Sequence, residues 1–184
     1  MKTKLLFILF IIIFAGIFPK DIKAMENSSA SSAVFANTND SFSEDIRVQV
    51  LRKFLQRYNS PLAPFAKTFV ESADENNLDW KFVAAISGLE STFGQQIPSN
   101  SYNAWGWGVY GNNVIRFASW EEGIKTISKG LRERYIKNWG AANIYEIGAM
   151  YAASPTWAQR VTYFMGKIEE FKLQNPRDSL PITI

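Results

Sequence analysis

The chain has 184 residues, 47% of them hydrophobic and 20% charged, with no cysteine, no histidine and a formal charge of +3. Without those two residue types it can build neither a Cys–His nor a Ser–His–Asp nucleophilic site, nor an ordinary zinc centre, so carboxylates and tyrosines remain as acid–base groups. The positive charge belongs to the N-terminus: Lys2, Lys4, Lys20 and Lys23 stand there against Asp21, and taking these from the 20 basic and 17 acidic side chains leaves 16 of each. Nucleic-acid binding calls for a concentrated basic surface, which that balance does not supply. No nucleic-acid partner, no cofactor and no metal is expected.

Lys2 and Lys4 precede an apolar run from Leu5 to Phe18, followed by Pro19 and a polar stretch to Ala24. The run is short for a membrane span of ~20 residues and right for the core of a signal peptide, so residues 1–24 read as a signal peptide cleaved after Ala24, with an uncleaved anchor as the alternative. Either way an exported protein is expected, secreted or held in the periplasm or cell envelope, whose core must hold the fold without disulfides. Residues 25–43 are small and polar and read as a flexible linker.

The folded domain is expected over residues 44–173, with 174–184 as a tail. Ser43 is the expected N-cap of a first helix whose face is Ile46, Val50, Leu51 and Leu55. Ser60-Pro61 opens a second, lined by Leu62, Phe65, Phe69, Val70 and Ala73. The third runs from an Asp79 cap to a Gly94 stop, with Phe82, Ile86, Leu89 and Phe93 as its core stripe. Glu90 lies in its last turn, on the border of that stripe. Partial burial there raises a carboxyl pKa and keeps the group able to act as a general acid.

The pattern then breaks. Trp105–Tyr110 and Val114–Phe117, flanking Gly111-Asn112-Asn113, read as a short hairpin. At strand spacing Trp105 and Trp107 share one face while Gly106 and Gly108 leave the other bare, which suits close approach of a ligand. Ser119 with Glu122 forms a capping box for a fourth helix faced by Ile124, Ile127, Leu131 and Tyr135, and Asn143 with Glu146 repeats the signal for a fifth carrying Ile147, Met150 and Tyr151. Ser154-Pro155 starts a sixth, with Trp157, Val161, Phe164, Ile168 and Phe171 on one face. The fold class is mainly α (α+β): a helical domain with a small β-hairpin lobe, expected as a monomer. An acid at a helix end facing an aromatic, glycine-rich loop suggests a carbohydrate site.

Three blocks carry a family resemblance. Glu90-Ser91-Thr92-Phe93-Gly94 resembles the E-S-x-W/F-G motif of the lysozyme-like superfamily, and Tyr102-Asn103-Ala104-Trp105-Gly106 the N-x-F/W-G block that follows it. Tyr151-Ala152-Ala153-Ser154-Pro155-Thr156-Trp157-Ala158 is similar to the Y-A-x-D/S-P-x-Y/W block of bacterial glucosaminidases, endo-β-N-acetylglucosaminidases that cut peptidoglycan. The resemblance implies a lysozyme-like fold, Glu90 as catalytic acid, Tyr151 near the reacting sugar, and a cleft for glycan strands of peptidoglycan. Ser154 and Trp157 depart from the Asp and Tyr of many members. Asn103, Trp105, Trp107, Tyr110 and Trp157 are the candidate sugar contacts.

Glycoside cleavage usually needs a proton donor and a second group for the oxocarbenium-like centre. Gly94 through Ser119 contains no Asp and no Glu, so the lobe supplies no second carboxylate. The substrate's N-acetyl oxygen could attack, a sugar hydroxyl could close an anhydro ring as in lytic transglycosylases, or Glu121 or Glu122 could position water. Against these stand plainer readings. Glu90 pairs with Lys81 or Arg116, the tryptophans and Tyr151 are core, and Arg132-Glu133-Arg134 is a solvated helix face. An inactive peptidoglycan-binding module, or a helical domain docking on another envelope protein, is the remaining alternative.

Overall fold

The computed structural model describes residues 44–108 and 113–175. The expected signal peptide, the linker, the Ser43 cap, Tyr110 and most of the tail lie outside them. Six α-helices are present among the described residues: α1 (Ile46–Arg57), α2 (Ala66–Glu75), α3 (Phe82–Ser91), α4 (Trp120–Gly130), α5 (Ile144–Tyr151) and α6 (Trp157–Gln174). None is long and apolar enough to cross a membrane.

Helix α3 is the axis of the domain. Phe82 through Gly88 are all buried, so this helix is apolar all round for two turns, as a central helix must be. Val48, Leu51, Phe54 and Leu55 of α1, Phe69 and Val70 of α2, Ile124 and Ile127 of α4 and Val161 and Ile168 of α6 close around it in one core. Phe93, just past the end of α3, packs edge-on against Phe54 and Phe164 and so ties α1 to α6. At Gly88 a Cβ would come within 2.6 Å of the Phe93 ring, so the helix carries glycine where the ring folds back.

Local chemistry sets most helix starts. Asp45 caps α1 by accepting from Arg47 N–H at 2.8 Å, one residue pair later than the expected Ser43. Ser119 accepts from Glu122 N–H at 3.2 Å, and Asn143 from Tyr145 and Glu146 N–H at 3.0 Å each, the expected capping signals for α4 and α5. Ser60 and Pro61 lead into a 3₁₀ turn, Ala63–Phe65, before α2.

Two expectations are corrected here. Asp79 does not cap α3. It closes a turn by accepting from Lys81 N–H at 2.9 Å, and the helix begins at Phe82. Nor does Trp105–Gly108 form a strand: these residues are turns, with Gly106 and Gly108 both at φ +62°. Left-handed backbone at alternate positions breaks the two-residue alternation of a strand, so Trp105 and Trp107 do not share a face. No strand occurs among the described residues; the hairpin's expected turn falls largely at 109–112, outside them.

Candidate active site

Glu90 sits in the last turn of α3, and the chain leaves that turn under strain. Thr92, Phe93 and Gly94 follow at φ +52°, +56° and +83°. Two consecutive non-glycine residues in the left-handed region cost about 1–2 kcal/mol each and persist only where the surroundings hold them. Ser60 holds one side by donating its hydroxyl to the Phe93 carbonyl at 2.7 Å. Ser91 holds the other: its buried hydroxyl accepts from Gly94 N–H at 2.9 Å and lies 2.8 Å from the Ala104 carbonyl. The end of α3 is thereby fastened to the 101–108 loop.

Asn103 shapes that loop. Its amide donates to the carbonyls of Trp107 at 2.8 Å and Ile115 at 3.0 Å, and its oxygen accepts from Trp107 N–H at 3.1 Å. At 2% exposed, with its amide spent on these bonds, Asn103, an expected sugar contact, stands in this structure as a loop anchor. Trp105 is likewise core. Fully buried, it donates its indole N–H to the Val83 carbonyl at 2.9 Å and packs against Phe69 and Phe117. The turn between them brings Gly106 to the acid: a Cβ there would stand 3.4 Å from Glu90 Oε2.

On the other side of the carboxyl is Trp157, the first residue of α6. Its indole N–H donates to Glu90 Oε1 at 2.7 Å. Trp157, an expected sugar contact, is 2% exposed in this structure and meets the acid directly. Tyr151 stacks on it, with centroids 4.7 Å apart and planes at 27°, and donates its hydroxyl to the Trp105 carbonyl at 2.8 Å. The site closes on itself: Glu90 to Trp157, Trp157 to Tyr151, Tyr151 to the loop that carries Gly106.

Glu90 is open to solvent on one side and crowded on the other. Desolvation raises its pKa above the ordinary 4.5, opposed by the Trp157 hydrogen bond and by the charge of Arg160. Among the described residues no cation forms a salt bridge with it. Lys81 is taken by Glu169 at 3.1 Å and Asp79 at 3.4 Å, and Arg116 donates to the Ser99 carbonyl. Burial, with the Glu90 carboxyl near by, pushes the Tyr151 phenol well above its usual 10.0. Tyr151 therefore stays protonated, a donor rather than a base.

Glu122 serves its own helix, accepting from Ala118 N–H. Glu121 lies beside it in the first turn of α4. Neither is among the groups that hydrogen-bond to Glu90 or shift its pKa. No group of Asp or Glu side chains among the described residues could hold a metal ion.

A cleft of about 220 Å³ opens at Gly106, lined also by Trp107, Gly108, Ile115, Arg134, Tyr135 and Tyr151. Trp107 reaches it because Gly130 gives way: a Cβ at Gly130 would fall 2.7 Å from the Trp107 ring. A larger groove of about 710 Å³ lies along the start of α3, where Lys81 pairs with Asp79 and Glu169 and Arg132 also lines the wall. Glu90 lines neither cavity, but its Oε2 abuts Gly106, which lines the smaller one.

A helix ending in a strained acid, faced by an anchored aromatic loop, can be set beside solved structures. The fold resembles that of S. aureus autolysin E. A catalytic mutant of that protein in complex with the disaccharide NAG-NAM superposes with a TM-score of 0.58 at 16% identity, over 67% of this chain and 66% of that one. Autolysin E in complex with the muropeptide NAM-L-Ala-D-iGlu gives 0.57 at 17%, with the same coverage. This chain thus spans about two thirds of the autolysin E chain in those complexes. No family model matches the sequence, and no curated protein does. The helical domain expected from the sequence is present, with a fold like that of autolysin E. The β-hairpin lobe expected with it is not shown among the described residues.

The tie between Trp157 and the acid is open to a direct test. Trp157→Phe removes a donor that favours the charged carboxylate, so the alkaline limb of the pH–activity profile moves to higher pH. Losing one hydrogen bond to an ionisable group, ~1.5 kcal/mol, also lowers kcat about tenfold. An unmoved limb in the pH profile would show that the indole does not tune Glu90.

Proposed function

We propose that the chain is a peptidoglycan hydrolase cutting the β-1,4 glycan backbone, of endo-β-N-acetylglucosaminidase type, with Glu90 as its single general acid. The observation that carries this reading is the Glu90 carboxyl, raised in pKa, in no salt bridge with a described cation, held by the Trp157 N–H and set with its other oxygen against Gly106 of the aromatic cleft. The indole is donor-only and binds Oε1, so the proton to be delivered resides on Oε2, the oxygen beside Gly106.

In the mechanism, Oε2–H protonates the glycosidic oxygen as the C1–O bond breaks. With no Asp or Glu between Gly94 and Ser119, the developing positive charge at C1 is met by the substrate itself. The N-acetyl carbonyl oxygen bonds to C1, and the Glu90 carboxylate then takes a proton from the water that opens this intermediate. If a sugar hydroxyl attacks C1 instead, no water is added and the product is anhydro, as from a lytic transglycosylase. The partly exposed cleft aromatics Trp107 and Tyr151 supply apolar faces for sugar rings, with Tyr135 packed behind them, and Tyr151 positions the acid through Trp157. Export to the cell envelope, read from residues 1–24, places the enzyme with its substrate.

The test is a zymogram on purified cell-wall material with a parallel sedimentation assay. A clearing zone with the wild-type protein supports the enzyme. Binding without clearing identifies an inactive peptidoglycan-binding module instead.

A further inference from the structure

The helix that follows α4 without a break is π-helical: Leu131–Asn138 is wound more widely than an α-helix. Trp139 N–H donates to the Arg134 carbonyl five residues back, at 2.9 Å. Such segments are rare and gather at functional sites, because the wider turn changes which side chains share a face. Here the neighbours Arg134 and Tyr135 both line the Gly106 cleft. Tyr135 is buried against Trp107 and Tyr151. Arg134 is exposed, with its guanidinium 5.4 Å from the centre of the Trp139 ring.

We infer that Arg134 reads a carboxylate borne by a substituent of the bound sugar, so that the cleft selects acidic over neutral glycans. The inference rests on the glycan reading above. Arg47 and Arg52 are closed in carboxylate pairs at 2.6 and 2.5 Å, whereas no carboxylate of the described residues forms a salt bridge with Arg134. The aromatic face of Trp139 orients the guanidinium plane without consuming its N–H donors. An oriented planar fork with free donors fits a carboxylate through two parallel hydrogen bonds. Charge points the same way: among the described residues lining this cleft Arg134 is the one charged side chain, and no carboxylate stands with it to repel an acidic ligand. In peptidoglycan the carboxylate is either the lactyl group of the muramic unit or a terminus of the peptide arm attached to it.

Titration calorimetry with three ligands tests this: neutral chitobiose, GlcNAc-MurNAc with a free lactyl carboxylate, and muramoyl dipeptide, whose lactyl group is amidated. The wild-type protein binds one of the acidic ligands about fivefold to tenfold more tightly than chitobiose, a preference that shrinks at high salt. Arg134→Gln abolishes the preference and leaves chitobiose binding unchanged. Tighter binding of the disaccharide assigns the lactyl source, and of the muramoyl dipeptide the peptide arm. Equal affinities in the wild-type protein, or an equal loss for neutral and acidic ligands in Arg134→Gln, overturn the inference while the glycan reading stands. Failure of all three ligands to bind the wild-type protein defeats both.

Discussion

Replacing Glu90 by Gln abolishes turnover of purified peptidoglycan, by at least about a thousandfold in kcat, and leaves glycan binding in place. The amide keeps an oxygen for the Trp157 N–H, so the side chain is held as before and only the transferable proton is lost. Gly94 through Ser119 carry no Asp or Glu, so in the proposed single-acid mechanism no carboxylate of that segment substitutes for it, and a missing general acid costs roughly two to four orders of magnitude. Glu121→Gln and Glu122→Gln retain most activity, because Glu122 is engaged at the start of its own helix. Loss confined to the latter pair would place the acid elsewhere.

Stability moves the other way in the same variant. The native state holds the Glu90 proton more tightly than the unfolded chain, whose carboxyl titrates near the ordinary 4.5. Between those two pKa values the native state binds more protons, so the wild-type domain loses stability as pH rises through that window. Gln carries no charge to desolvate, and Glu90→Gln therefore melts no lower than wild type at neutral pH. The alkaline limb of the wild-type activity profile falls above 4.5 for the same reason, with no histidine in the chain to confuse its assignment.

The second large effect is structural. Trp105→Ala destabilises the domain by about 4 kcal/mol, the range for emptying a large buried aromatic site. The Trp105 ring fills the space between Phe69, Phe117 and Gly123, where a Cβ on Gly123 would approach it to 2.7 Å. Its N–H also serves the Val83 carbonyl, in the helix that carries Glu90. Against a total stability of ~5–15 kcal/mol for a domain of this size, the loss lowers the melting temperature by roughly 10–20 °C. Trp105→Phe keeps most of the volume and loses the hydrogen bond, so its melting point falls between the two. A circular-dichroism melt that barely shifts in Trp105→Ala would show that the ring does not bear on the core.

The contrast between Trp105 and Trp157 shows what was legible in the sequence. The starts of α4 and α5 were, because capping is local: Ser119 with Glu122 and Asn143 with Glu146 declare themselves within four residues, whereas Asp79 misled for α3. So was the core face of α3, and with it the position of Glu90 in the last turn. The partner of that carboxyl was not. Periodicity puts Trp157 on the core side of α6, but nothing in spacing says that its N–H meets an oxygen 67 residues earlier. Alternation misread Trp105 and Trp107, since it assumed extended backbone where Gly106 and Gly108 take positive φ. The π-helical turn left no mark either. A ring from a distant loop seated on Gly130 lies at its start, and Arg134, which reads in sequence as part of a solvated helix face, lines the cleft instead.

The most direct measurement is mass spectrometry of the fragments that the wild-type protein releases from purified peptidoglycan. Fragments severed between sugars, with peptide arms intact and one water added at the new reducing end, are the expected result; fragments lacking that water identify the anhydro route of the same acid. Arms cut within the peptide, or no fragments released at all, would contradict the claim that Glu90 delivers its proton to a glycosidic oxygen.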